Sequence, residues 1–189
     1  IRFTAAIIFL LSSALGAVYV VIIVFIQKTL GSATKDLGLL IMFLGVGLFL
    51  GSIVYGRFGQ KFSHYKVIFI SLIFTGIMLV LFTLGVQNYP NFWVAALLAL
   101  VLGMFVSPIM IAANTIIHKV SDNAMMGKIF SSLEIVMHLG FIVFMFLSSF
   151  LAERIHPAYI LVTVGIVFGI LGIVNLIWHR KIPWLERIA

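Results

Sequence analysis

Three features of this 189-residue sequence predict an all-α integral membrane protein, six transmembrane helices packed as one bundle. Hydrophobic residues make up 63% of the chain and charged residues 9%, with a mean hydropathy of +1.29. No water-soluble surface can be assembled from that composition. Six apolar runs of roughly 20 residues, the length that crosses about 30 Å of hydrocarbon, follow one another with short polar connectors between them. The cations fall unevenly on alternate sides of those runs. Cysteine is absent, which removes disulfides, zinc clusters and thiol nucleophiles. A pI near 10.0 raises nucleic acid as a partner. However, no basic stripe carries interleaved aromatics, and the cations gather at the ends of apolar runs. The expected partner is membrane lipid and not nucleic acid; no metal or other cofactor is expected.

The first run, residues 5–26, contains the small-x-small step Ala14-Leu15-Gly16 of a signal peptide, but apolar sequence continues to Ile26, beyond a signal core, so it reads as a true span. Ser12, Gly16 and Tyr19 lie on one of its faces, with Gln27 near the far end. After the connector QKTLGSATKD, residues 37–56 carry Gly45, Gly47 and Gly51; Gly47 and Gly51 stand in the GxxxG relation that lets helix backbones approach closely. The basic stretch GRFGQKFSHYK leads into residues 67–86, and QNYPN into residues 92–117. In that fourth run Ser107, Asn114 and His118 share a face, beside Pro108. HKVSDNAMMGK precedes residues 129–151, where Ser131, Glu134 and His138 share a face and Glu134 is the only carboxylate inside any run. Residues 158–178 repeat the GxxxG relation at Gly165 and Gly169. Trp93, Trp178 and Trp184 read as interfacial anchors. Connectors this short predict that sequential helices are antiparallel neighbours.

Orientation follows from the cations. Arg2, Arg57, Lys61, Lys66, Lys119, Lys128, Arg180, Lys181 and Arg187 fall on one side, against Lys28, Lys35 and Arg154 on the other. The positive-inside rule then predicts a multi-pass protein of the cell membrane, with both termini and the second and fourth connectors cytoplasmic.

The second connector, GRFGQKFSHYK, resembles the signature loop of the major facilitator superfamily, Gly-x-x-x-Asp-Arg-x-Gly-Arg-(Arg/Lys). Gly56 matches the first glycine, Lys61 the arginine after the acid, and His64 with Tyr65 the closing basic pair. Gln60 replaces the acid and Ser63 the second glycine. In the family that acid pairs with charge on a neighbouring helix and holds one face of the transporter shut; Gln60 accepts hydrogen bonds but cannot form the ion pair. Residues 27–59 are similar to the end of the seventh helix through the eighth in efflux-type members, and SPIMIAANTIIHKVSDNAMMGKIFSS (107–132) to their tenth-to-eleventh segment. The resemblance implies the C-terminal six-helix half of a twelve-helix transporter built from an inverted three-plus-three repeat. Helices one, two, four and five would face a central cavity, and three and six the lipid. A chain that begins at Ile1 fits a fragment of such a protein, so a second six-helix bundle is an expected partner.

On those inward helices the resemblance makes Tyr19, Ser107, Asn114 and His138 substrate-cavity candidates, Glu134 the proton-coupling candidate, and Gly56, Gln60 and Lys61 gating-loop candidates. Polar groups inside a span cost free energy unless they find a partner or water, which is why they are informative. Glu134 also stands only two turns from its helix start, and the competing reading is a solvated interfacial carboxylate paired with Lys128 or His138. A half-cavity of Met, Phe, Ser and Asn suits export of a hydrophobic or amphipathic drug-like solute, or a lysophospholipid. A non-transporting membrane anchor or scaffold is the reading of another class. An enzyme is not expected: HExxH, GxSxG and paired aspartates on facing helices are all missing.

Overall fold

A computed structural model describes residues 2–31, 35–120 and 126–179. Trp184, Arg180, Lys181 and Arg187 lie outside the described residues, as do the side chains of Gln60 and Trp178. Among the described residues there are six α-helices and one short 3-10 turn. The helices are α1 (Arg2–Leu30), α2 (Lys35–Phe58), α3 (His64–Asn88), α4 (Phe92–Val120), α5 (Met126–Arg154) and α6 (Pro157–His179); the turn is Gly59–Lys61. All six are long and apolar enough to cross a membrane. Each extends past the apolar run that predicted it. An α-helix satisfies its own backbone, so nothing obliges it to stop where hydrocarbon gives way to headgroups.

Local chemistry ends the helices. Gly31, at φ 70°, closes α1 in the left-handed conformation, its N–H bonded to the Gln27 carbonyl at 3.2 Å. The Tyr89 N–H returns to the Gly85 carbonyl at 2.9 Å, and Asn91 Oδ1 then accepts the Trp93 N–H at 2.9 Å to start α4. Pro157 opens α6, where a missing N–H costs nothing. Pro108, inside α4, does not end it.

Apart from α3 with α4, sequential helices are not the main neighbours that short connectors predicted. The extensive contacts are α1 with α5, α2 with α4, and α3 with both α6 and α4; α1 also packs on α6 and touches α4. Short loops fix direction, but glycines decide which faces meet. At the α1–α5 crossing Gly16 lies against the Phe141 backbone and Gly140 against Phe9 and Ser13. At α2–α4, Gly47 and Gly51 lie on the Leu100 and Met104 carbonyls, and Gly103 on the Leu44 carbonyl. At α3–α6, Gly76 and Gly165 face each other's carbonyls. At six of these seven positions a side chain would strike backbone, and at Gly140 it would strike the side chains of Phe9 and Ser13, so the crossings depend on its absence.

The glycines form a waist across the bundle. On one side a buried cluster gathers Leu11, Tyr55, Ile68, Phe69, Ile109 and Ile116; on the other a second gathers Val21, Phe25, Leu40, Phe82, Ala95 and Leu161. The waist also exposes the internal repeat. Exchanging α1–α3 for α4–α6 turns the α1–α5 contact into α4–α2, the α3–α4 contact into α6–α1, and maps α3–α6 onto itself. The paired glycines, Gly16 with Gly103, Gly47 with Gly140 and Gly76 with Gly165, stand roughly 90 residues apart. An odd number of helices per unit inverts the second copy in the membrane. Around the bundle the contacts run α5, α1, α6, α3, α4, α2, so α2 and α5 are flanks and α1 and α4 meet between them.

Candidate functional site

Between the two flanks α1 and α4 present a face that α3 and α6 do not cover. Tyr19 of α1 is 55% exposed there, its ring 5.8 Å from Phe141 of α5. Asn114 of α4 is exposed one turn before His118, whose ring lies 4.9 Å from Phe130 of α5. Since α4 and α5 run in opposite directions, Asn114 and Glu134, each one turn from that ring contact, stand at about the same level. Glu134 is exposed, as is His138.

Glu134 and His138 are joined, but not through the carboxylate. His138 Nδ1 lies 2.8 Å from the backbone carbonyl of Glu134. A carbonyl only accepts, so Nδ1 carries the proton, and Nε2 is the acceptor of the neutral ring. The carboxylate is thereby left on the open face. Ser131, on the same stripe, donates its hydroxyl to the Lys128 carbonyl at 3.1 Å. A shallow depression runs along these side chains past Ile135, Leu139 and Ile142, and every residue lining it comes from α5. It has one wall.

Ser107 is separated from this set. It is only 5% exposed, because α2 crosses α4 at Leu100, Gly103 and Met104, one turn earlier, and covers that face before α4 emerges again at Asn114. The stripe read from the sequence is thus interrupted by a neighbouring helix. The structure therefore brings Tyr19, Asn114, Glu134 and His138 to the open side and buries Ser107.

The loop after α2 is built differently from its sequence reading. Gly56 faces open space and Lys61 is exposed, while Gln60 lies in the 3-10 turn. The glycine that geometry requires is Gly59, which sits on the ring of Tyr55, where any side chain would collide. Tyr55 in turn places its hydroxyl 3.0 Å from His64 Nδ1, both residues being buried. His64 and Tyr65, aligned with the closing basic pair, are core residues here. Neither Tyr55 nor Gly59 stands out in the sequence. Their only signal is an aromatic one helical turn before a glycine.

The chain is 29% identical over 169 residues to the quinolone resistance protein NorA of Staphylococcus aureus, in strains Mu50, N315 and COL alike. The alignment covers 88% of this chain and 42% of NorA, so the chain spans less than half the length of these relatives. No solved structure matches it. The family model described as Major Facilitator Superfamily matches residues 4–185, nearly the whole of the six-helix bundle, and the chain belongs to that superfamily.

Proposed function

We propose that this chain is the C-terminal six-helix half of a secondary transporter that exports amphipathic, drug-like molecules by alternating access, coupled to protons through Glu134. The observation that carries the reading is the open face with Tyr19, Asn114, Glu134 and His138 on it. Even two turns inside a span, a carboxylate presented to hydrocarbon costs free energy, whereas the same group facing a water-filled cavity is stable and can exchange a proton. The one-walled depression on α5 supports a second six-helix bundle as the opposite wall.

The similarity to a quinolone resistance protein makes quinolones the first substrates to test. In the proposed cycle the apolar walls take up the solute, Asn114 and Tyr19 offer hydrogen bonds that orient it, and Glu134 releases its proton on one side and regains it on the other. The cation bias supports a cytoplasmic position for both termini and for the loop at Gly59–Lys61. The test is expression of the full-length gene in a susceptible bacterium lacking its own pumps. A rise in the inhibitory concentration of quinolones, with lower intracellular accumulation, is expected. Unchanged accumulation across quinolones, lipophilic cations and lysolipids would favour a scaffold instead.

A further inference from the structure

The side of α4 away from α1 carries a groove that the open face does not use. Its floor is α4, its walls are α2 and α3, and the 3-10 turn with Phe62 closes one end. It exists because α2 and α3 each pack on α4 but not extensively on each other. Gly51 seats α2 on the Met104 carbonyl, and Phe74 seats α3 on Phe105, rings stacked 5.0 Å apart. The volume is about 350 Å³, at the lower end of the range of about 300–1,000 Å³ for ligand pockets. Gly51, Tyr55, Phe58, Phe62, Met104 and Phe105 are among the residues that line it. Tyr55 contributes its ring, since its hydroxyl is occupied by His64.

The chemistry changes abruptly at the closed end. Phe58 and Phe62 are 54% and 62% exposed, and next to each in the sequence is an exposed cation, Arg57 and Lys61. The apolar span of α2 ends at Phe58 and that of α3 starts at His64, so this rim lies at the boundary between hydrocarbon and water. An apolar trough that runs into the membrane from two cations at headgroup depth is complementary to one class of molecule. It matches a negative head joined to a long apolar chain. We propose that this groove binds an anionic phospholipid, one acyl chain lying between α2 and α3 over Met104 and Phe105, and the phosphate held by Arg57 and Lys61. Bound there, the lipid would brace the loop whose family acid is replaced by Gln60, supplying negative charge to a stretch, residues 56–66, that contains no acidic residue.

The test uses the full-length protein released into the gas phase from detergent with dioleoyl phosphatidylglycerol or dioleoyl phosphatidylcholine, bound lipid being counted by native mass spectrometry. Wild-type protein should retain phosphatidylglycerol in preference to phosphatidylcholine. Arg57→Gln and Lys61→Gln should each weaken that retention about fivefold, the attraction of one basic side chain for an anionic surface. Val54→Trp fills the groove from an exposed position and should displace the chain of either lipid. The thermal melt of each variant should stay at the wild-type value in lipid-free detergent, which separates lost binding from lost folding. Equal retention of the two lipids, or wild-type retention by the charge variants, would overturn the assignment. So would displacement of phosphatidylglycerol by a quinolone, which would make the groove a substrate site.

Discussion

Replacing Gly47 by alanine tests the glycine waist, because Gly45, one helical face away, supplies its own control. A methyl at Gly47 would strike the Leu100 carbonyl on α4, whereas one at Gly45 meets nothing. Both substitutions gain the same helix propensity, about 1 kcal/mol at most, so that contribution cancels between them. What remains is overpacking against backbone that cannot rotate aside, roughly 1–3 kcal/mol. At about 2–4 °C per kcal/mol for a domain of this size, Gly47→Ala should melt several degrees below Gly45→Ala. Gly45→Ala should match or exceed wild type. The assay is loss of the monodisperse peak of the full-length protein in detergent after heating. If the two variants melt together, the α2–α4 crossing does not depend on a missing side chain, and the waist is wrong as an account of this fold.

The other expectations concern particular groups. Tyr55→Phe deletes the hydroxyl bonded to the buried His64 and should lower the melting point by the equivalent of about 1–3 kcal/mol, while Tyr89→Phe, at an exposed loop, should leave it unchanged. Thr75 Oγ1 is buried with no hydrogen-bond partner among the described residues, so Thr75→Val, which keeps the shape and removes the hydroxyl, should raise the melting point. For topology, a cysteine replacing Lys61 should resist an impermeant thiol reagent in intact cells, whereas one replacing Tyr89 should react. Labelling at position 61 from outside would invert the orientation.

The sequence made the helices legible because a membrane imposes one requirement, a long apolar run with internally satisfied backbone, that single residues cannot disguise. It made the family legible through the loop 56–66 and the segment 107–132. It did not reveal which helices meet. Pairing is decided by the face on which each glycine lies, and Gly45 and Gly47 look alike until α4 is seen to cover only one of them. The same ignorance of neighbours hid the split between Ser107 and Asn114, which share a helical face but not a cover. The inverted repeat was invisible for a related reason. It is carried by three pairs of glycines at unequal spacing and not by a run of similar residues.

The proposed coupling of transport to a proton rests on Glu134, exposed on α5. Its most direct test is quinolone-induced dissipation of a pH gradient in everted vesicles containing the full-length protein, compared between wild type and Glu134→Gln. The glutamine keeps shape and hydrogen bonding but cannot ionise. Wild-type vesicles should release protons in step with uphill solute uptake, while Glu134→Gln should retain solute binding and downhill exchange yet move neither protons nor solute against a gradient. Uphill uptake by Glu134→Gln at the wild-type rate would contradict the account and reduce Glu134 to an interfacial carboxylate.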